Sequence, residues 1–156
     1  MRLKIAAVGR LKPGPELSLI KDYLDRTGAT GRPLGLGPVE VLEVDERKAR
    51  DSATQSEKLL AAVPATATAV ALDERGETLS SPAFAKLIAR ERDGGTPEMV
   101  FLIGGADGLA EAARAATGYR LSFGPMVWPH MLARVMLAEQ LYRAASILAG
   151  TPYHRA

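Results

Sequence analysis

Residues 121–155, LSFGPMVWPHMLARVMLAEQLYRAASILAGTPYHR, decide the fold. They read as a loop, a long helix and a short polar tail. Pro129 opens the helix, because its fixed φ suits a first turn and its missing N–H has no partner there. Gly150 can take the left-handed conformation that ends a helix, and Pro152 cannot continue one. These signals predict a helix over 130–148. At about 100° per residue, Leu132, Val135, Met136, Leu137, Leu141, Tyr142, Ile147 and Leu148 point in almost every direction. Glu139, Arg143 and Ser146 share one narrow stripe, with His130 and Arg134 roughly opposite. A helix apolar nearly all round is buried nearly all round. In a chain of 156 residues this predicts a homodimer packed on residues 130–148; the alternative is the central helix of a monomeric core.

The length and the 47% apolar content are those of one globular domain, 1–156. No apolar run reaches the ~18 residues of a membrane span, and MRLKIAAVGR lacks the core and cleavage site of a signal peptide. The expectation is a cytoplasmic protein with no membrane partner. With no cysteine there is no disulfide or thiolate chemistry, and the two histidines, His130 and His154, fit no metal-ligand spacing. No metal is expected. A formal charge of +2 permits an anionic partner without the dense basic field of a general nucleic-acid binder.

Outward from that stretch, short apolar runs predict strands at 3–8, 39–44, 67–72, 99–103 and 119–123. Helical spacing predicts helices at 16–26, stopped by Gly28, and at 55–63, 82–92 and 109–116, the third capped by Ser80-Ser81-Pro82. Residues 28–38 read as a loop and 73–76 as a turn, and the charged stretch 45–51 as a solvated face. Strands alternating with helices predict an α/β fold with a mostly parallel sheet covered on both faces. Ligands in such sheets bind beyond the carboxyl ends of the strands, which directs attention to the loops 72–76, 104–108 and 123–128. GGADG at 104–108 is neither a P-loop nor the GxGxxG of dinucleotide folds. Its paired glycines serve close approach to a ligand or simply a tight turn.

LDERG at 72–76 with SSPAFA at 80–85, FLIGGADG at 101–108, and LSFGPMVWPHMLARVMLAEQLYRA at 121–144 ending in GTPYHR resemble, in order and spacing, the ribosomal RNA large subunit methyltransferase H family. The resemblance covers the whole chain. It implies a SPOUT-type fold with a C-terminal trefoil knot, an exception to the rule that chains are unknotted. It also implies methyl transfer from S-adenosylmethionine to N3 of a pseudouridine in large-subunit ribosomal RNA, by a homodimer. Motif matching places the cofactor contacts on Leu72, Gly104, Phe123, Gly124, Pro125, Met126, Val127 and Trp128, in the same three loops. The chain departs from the family in having Gly124, Pro125 and Val127 where serine or alanine, other residues, and threonine are frequent. A hydroxyl group is thereby missing from the loop, while its backbone groups remain.

The chemistry suits these residues. Methyl transfer from a sulfonium requires mainly alignment of donor and acceptor, and N3 of a uracil ring must lose a proton. His154 is the candidate base. Arg143 and Arg155 are candidates to hold phosphate or the developing imidate, and Tyr153 to stack on a base. An ordinary helix salt bridge from Glu139 competes for Arg143, and His130 reads as a cap residue. The modest charge favours assembled ribosomes as the form in which the RNA is met. Two alternatives stand beside this reading: a SPOUT-fold RNA methyltransferase of other nucleotide specificity, and a non-catalytic ribosome-binding factor.

Overall fold

The computed structural model describes residues 1–155. In chain order it contains β1 (Arg2–Val8), α1 (Pro15–Gly31), a 3-10 turn (Arg32–Leu34), β2 (Val39–Val44), α2 (Ser52–Ala61), β3 (Thr68–Thr78), α3 (Ser81–Asp93), β4 (Glu98–Ile103), α4 (Glu111–Ala115), β5 (Tyr119–Ser122) and α5 (His130–Ala149). The five strands form one sheet in the order β2-β1-β4-β3-β5, and every pairing is parallel. β4 is buried along its whole length, as its unbroken apolar run requires. Residues of β1 and β4 alternate between two cores: Ile5, Ala7, Met99 and Phe101 face Phe84, Leu137 and Leu141, whereas Ala6, Val8, Val100 and Leu102 face Leu59 and Ala113. Helices therefore cover both faces, with α5, flanked by α1 and α3, on one and α2 and α4 on the other.

Local signals mark most element ends. Ser80 accepts the Ala83 N–H at 3.2 Å and caps α3. Asp51, in the charged stretch read as a solvated face, is the cap of α2, accepting from Thr54 N at 2.6 Å. Pro129 stands at the cap position of α5, its carbonyl accepting the Ala133 N–H at 3.0 Å. Gly150, at φ 72°, ends the helix: its N–H bonds to the Ile147 carbonyl at 3.1 Å and that of Thr151 to the Ser146 carbonyl at 3.0 Å. This double closure reverses the chain.

Two expectations are corrected. Gly28 does not stop α1, which continues to Gly31. Its packing along α5 outweighs one glycine's helix penalty of about 1 kcal/mol. The turn comes later, where Gly31 lies so close to Leu36 that a Cβ would sit 2.8 Å from the Leu36 carbonyl oxygen. Residues 73–76 do not end the third strand either. They bulge out of it, so that Leu121 of β5 is opposite both Leu72 and Glu77. A Cβ on Gly76 would lie 2.7 Å from the Arg120 carbonyl group, so the strand returns to the sheet only with glycine there.

The apolar circumference of α5 is covered largely within the chain. Leu137, Ala138, Leu141, Ala144 and Ala145 are buried. The uncovered apolar surface is at its start, at Met131 and Leu132, and continues into Met126, Val127 and Trp128 of the preceding loop. Among the described residues no helix is long and apolar enough to cross a membrane.

Candidate active site

The carboxyl ends of β3, β4 and β5 open into one cleft, about 150 Å³ within its walls and about 610 Å³ with its mouth. The three loops singled out in the sequence meet there. Leu72, Gly104, Phe123, Gly124, Met126, Val127 and Trp128 line it; Pro125, exposed on the same loop, does not. Asp73, Glu74 and Gly105, inside the loops singled out but not named as contacts, line the cleft as well; sequence reasoning missed Ile103 and Leu121, each close to a residue it had named, and His130 and Ala133 from the first turn of α5. Strand-end position was the available signal for Ile103 and Leu121. Nothing local marks His130 and Ala133, because their place depends on how α5 crosses the sheet.

The glycine loop is built for tightness. A Cβ on Gly104 would fall 2.5 Å from the Gly108 carbonyl carbon, and one on Gly105 would meet Val8 and Gln55 at 3.0 and 3.2 Å. The Gly108 N–H closes the turn on the Gly105 carbonyl at 3.0 Å. The tight-turn reading of the paired glycines holds, and the turn forms a wall of the cleft. Arg114 steadies this wall. Its Nη1 donates to the Leu109 carbonyl at 2.7 Å, and its Nε lies 3.6 Å from Asp73 Oδ2. Asp73 is nearly buried, with Oδ1 accepting the Arg75 N–H at 3.1 Å. The opposite wall is tied to the bulge in β3 through Ser122, whose hydroxyl accepts the Gly124 N–H at 3.0 Å and lies 3.0 Å from the Glu74 carbonyl oxygen. Gly124 sits at φ 107°, where a side chain would be strained.

Arg134, expected opposite the polar stripe of α5, is buried beneath the cleft. Its Nη1 pairs with Glu43 Oε2 at 2.6 Å and its Nη2 donates to the Gly9 carbonyl at 3.0 Å. A buried guanidinium requires such partners. They tie the start of α5 to the carboxyl ends of β1 and β2, and so set the position of His130 and Ala133.

The four tail-region candidates lie elsewhere. Past Gly150 the chain folds back on α5, and the Tyr153 hydroxyl donates to Glu139 Oε1 at 3.0 Å. Arg143 donates from Nε to the same oxygen at 3.0 Å and from Nη1 to His154 Nδ1 at 3.3 Å. The Glu139 hydrogen bond raises the pKa of Arg143 further above its ordinary value. Burial, with hydrogen bonds involving Tyr23 and Glu139, pushes the Tyr153 phenol far above the ordinary tyrosine range. Tyr153 also packs edge-on against Tyr142, ring centroids 4.6 Å apart, and under the Arg143 guanidinium at 4.7 Å. Arg155 is exposed. None of Arg143, Tyr153, His154 and Arg155 lines the cleft. From Ala133 to Arg143 the helix rises about 15 Å. A guanidinium only donates, so Nδ1 of His154 presents a lone pair and the neutral ring carries its proton on Nε2.

Chemically, the cleft offers apolar walls (Leu72, Ile103, Leu121, Phe123, Trp128), backbone of the glycine loop and two acidic residues, the nearly buried Asp73 and the exposed Glu74. That combination suits a ligand with an aromatic ring and a positive charge. Among the described residues no group of three or more His, Asp or Glu side chains is placed to hold a metal ion.

A family model described as "Predicted SPOUT methyltransferase" matches residues 1–154. The chain is 61% identical over 155 residues to the ribosomal RNA large subunit methyltransferase H of Dinoroseobacter shibae, covering 99% of each chain. It is 57% identical over 155 residues, with the same coverage, to the protein of that name from Ruegeria pomeroyi. A probable methyltransferase from Bordetella pertussis Tohama I shares the fold, with a TM-score of 0.55 at 16% identity over 92% of this chain and 95% of that one. Full-length similarity at this level leaves one assignment: the chain belongs to the SPOUT methyltransferases and, among them, to the ribosomal RNA large subunit methyltransferase H family.

Proposed function

We propose that the protein methylates N3 of a pseudouridine in large-subunit (23S) ribosomal RNA with S-adenosylmethionine, in the cytoplasm, on assembled ribosomes. The observation that carries this reading is the convergence of the loops after β3, β4 and β5 on one cleft, in a chain alike over its full length to methyltransferases of that name. S-adenosylmethionine fits the cleft by chemistry: apolar walls for its adenine, close-packed backbone at Gly104, and the negative charge of Asp73 and Glu74 beside its cationic part. When bound, it supplies a methyl group on a sulfonium, open to in-line displacement. Leu72, Gly104 and the loop 123–128 would hold it. In this reading the segment after β5 is threaded as the trefoil knot of the family.

The enzyme works as a homodimer. Met126, Val127, Trp128, Met131 and Leu132 are 70, 81, 42, 39 and 41% exposed and contiguous in sequence with the cleft. So much exposed apolar surface in one place marks an interface. The tail of one subunit then completes the cleft of the other, which accounts for its distance from its own. There Arg143 and Arg155 hold the RNA, Tyr153 stacks on a base, and the Nε2–H of His154 donates to an oxygen of the uracil ring as N3 loses its proton to solvent. His154 thus stabilises the imidate rather than removing the proton, because its other nitrogen is occupied by Arg143.

The test is incubation with radiolabelled S-adenosylmethionine and ribosomes from cells lacking the enzyme, followed by mapping of the label. Label at N3 of a pseudouridine in 23S RNA is expected. Label on another nucleotide would identify a different SPOUT specificity, and binding without transfer a non-catalytic factor.

A further inference from the structure

The loops that follow β1 and β2 are held against each other beside the cleft. The Gly9 N–H donates to the Val44 carbonyl at 2.8 Å, and the Leu11 N–H to Glu43 Oε2 at 2.9 Å. A Cβ on Gly9 would lie 3.1 Å from Glu46 Oε1 and 3.4 Å from Nε2 of His130, a residue that lines the cleft. These two loops carry five cations: Arg10, Lys12, Arg47, Lys48 and Arg50. All five are exposed.

The acids around them are mostly committed. Asp45 is paired with Arg47 at 3.1 Å, Glu43 with Arg134, and Asp51 caps α2. Glu16 belongs to the first turn of α1, where it complements the helix dipole. Of these acids, Glu46 is left uncommitted. Arg10, Lys12, Lys48 and Arg50, in contrast, make no ion pair among the described residues. Arg47 with Asp45 and Arg134 with Glu43 cancel, so the four unmatched cations stand against Glu16, Glu46 and Asp51 and leave these two locked loops a small positive excess, carried by exposed side chains. The patch ends at the cleft. Exposed, unpaired Lys and Arg side chains are the means by which proteins take hold of a phosphodiester backbone.

We propose that the RNA substrate lays its sugar–phosphate backbone across the loops after β1 and β2, on Arg10, Lys12, Lys48 and Arg50, and reaches the cleft past His130. This rests on the reading of the protein as an enzyme of ribosomal RNA. It assigns these loops the positioning of the RNA, while the tail of the partner subunit acts at the target base. Arg134 has an indirect part, since its bonds to Glu43 and Gly9 fix both loops relative to α5.

The experiment compares the full-length protein with R10E/K12E, with K48E/R50E, with the four single reversals, and with K86E, which makes the same charge change as each single reversal on the exposed surface of α3. Binding to ribosomes from cells lacking the enzyme is measured by co-sedimentation over a range of salt, alongside KM and kcat for methyl transfer. Cofactor affinity is followed by Trp128 fluorescence. Each double variant should weaken ribosome binding and raise KM by about 10-fold or more, and lower the slope of log K against log salt by about 0.7–0.9 for each phosphate no longer neutralised. Cofactor affinity and kcat at saturation should stay within about 2-fold, and K86E should match wild type, because phosphate contacts position without taking part in chemistry. Double variants that behave like K86E would overturn the proposal. So would a photo-crosslinker at position 12 that labels ribosomal protein and no RNA. The binding measurement judges the surface even if no methyl group is transferred, so failure of the enzymatic reading is seen separately, as wild-type binding without transfer. Wild type that does not bind ribosomes at all overturns both.

Discussion

Arg143 and His154 meet at 3.3 Å across the reversal that Gly150 makes at the end of α5. Since the guanidinium can only donate, it selects the imidazole tautomer with the proton on Nε2. The amide nitrogen of glutamine can stand in for Nε2, and that of asparagine for Nδ1. H154Q should therefore retain methyl transfer within about 10-fold, while H154N and H154A lose about 100-fold or more in kcat. Single-turnover assays on ribosomes decide the order. Equal loss in H154Q and H154N would remove the donor role.

Gly104→Val places a side chain where the Gly108 and Leu109 backbone already lies, at 2.5–2.8 Å from a Cβ. The loop has to open, and the wall of the cleft goes with it. Affinity for S-adenosylmethionine, followed through Trp128 at the mouth, should fall about 100-fold or more, as expected when positioning contacts shift by an ångström. A titration identical to wild type would take Gly104 out of the binding site.

Replacing Met131 and Leu132 by aspartate removes apolar surface that α5 does not bury in its own chain. Sedimentation velocity at micromolar concentration should then show monomers with an unchanged helix content. A wild-type protein that is itself monomeric would exclude the proposed interface.

A subunit lacking residues 153–156 should keep cofactor binding and dimerise, yet transfer no methyl groups. Mixed with a full-length Gly104→Val subunit, also inactive alone, it should regain activity in the heterodimer, where one intact tail meets the other subunit's intact cleft. Heterodimers that form and remain inactive would show that the tail does not act in trans.

Glu91 joins three elements, accepting from Thr68 Oγ1 of β3, Thr96 Oγ1 after α3 and the Tyr119 hydroxyl of β5, each at 2.7 Å. Burial opposes its ionisation, but the three hydrogen bonds outweigh burial and hold its pKa below the ordinary 4.5. A carboxylate whose pKa is depressed on folding contributes stability in full above its unfolded value and loses it as pH falls through the folded one. Denaturant midpoints should thus drop as pH falls below about 4.5, and E91Q, about 2 kcal/mol less stable at pH 7, should show a flatter acid limb. An acid limb as steep in E91Q as in wild type would assign it to other carboxylates.

The sequence by itself determined the features whose causes are local. Pro129 and Gly150 bracket α5, Ser80 starts α3, and the runs at 3–8 and 99–103 are strands, because caps, turn preferences and apolar runs act within a few residues. The same reasoning led to the three loops of the cleft, since parallel strands bring their carboxyl ends to one edge. Only the tertiary structure decided where distant segments meet. Gly28 stays helical because α1 lies along α5, and 73–76 bulge because β5, some fifty residues later, returns to pair with β3. Arg134 looks like a surface residue by helical spacing and is buried because Glu43 and Gly9, 91 and 125 residues away in sequence, supply its partners. His130 and Ala133 join the cleft for the same reason. Burial and pairing depend on the sum of contacts across the whole chain, and no window of sequence contains that sum.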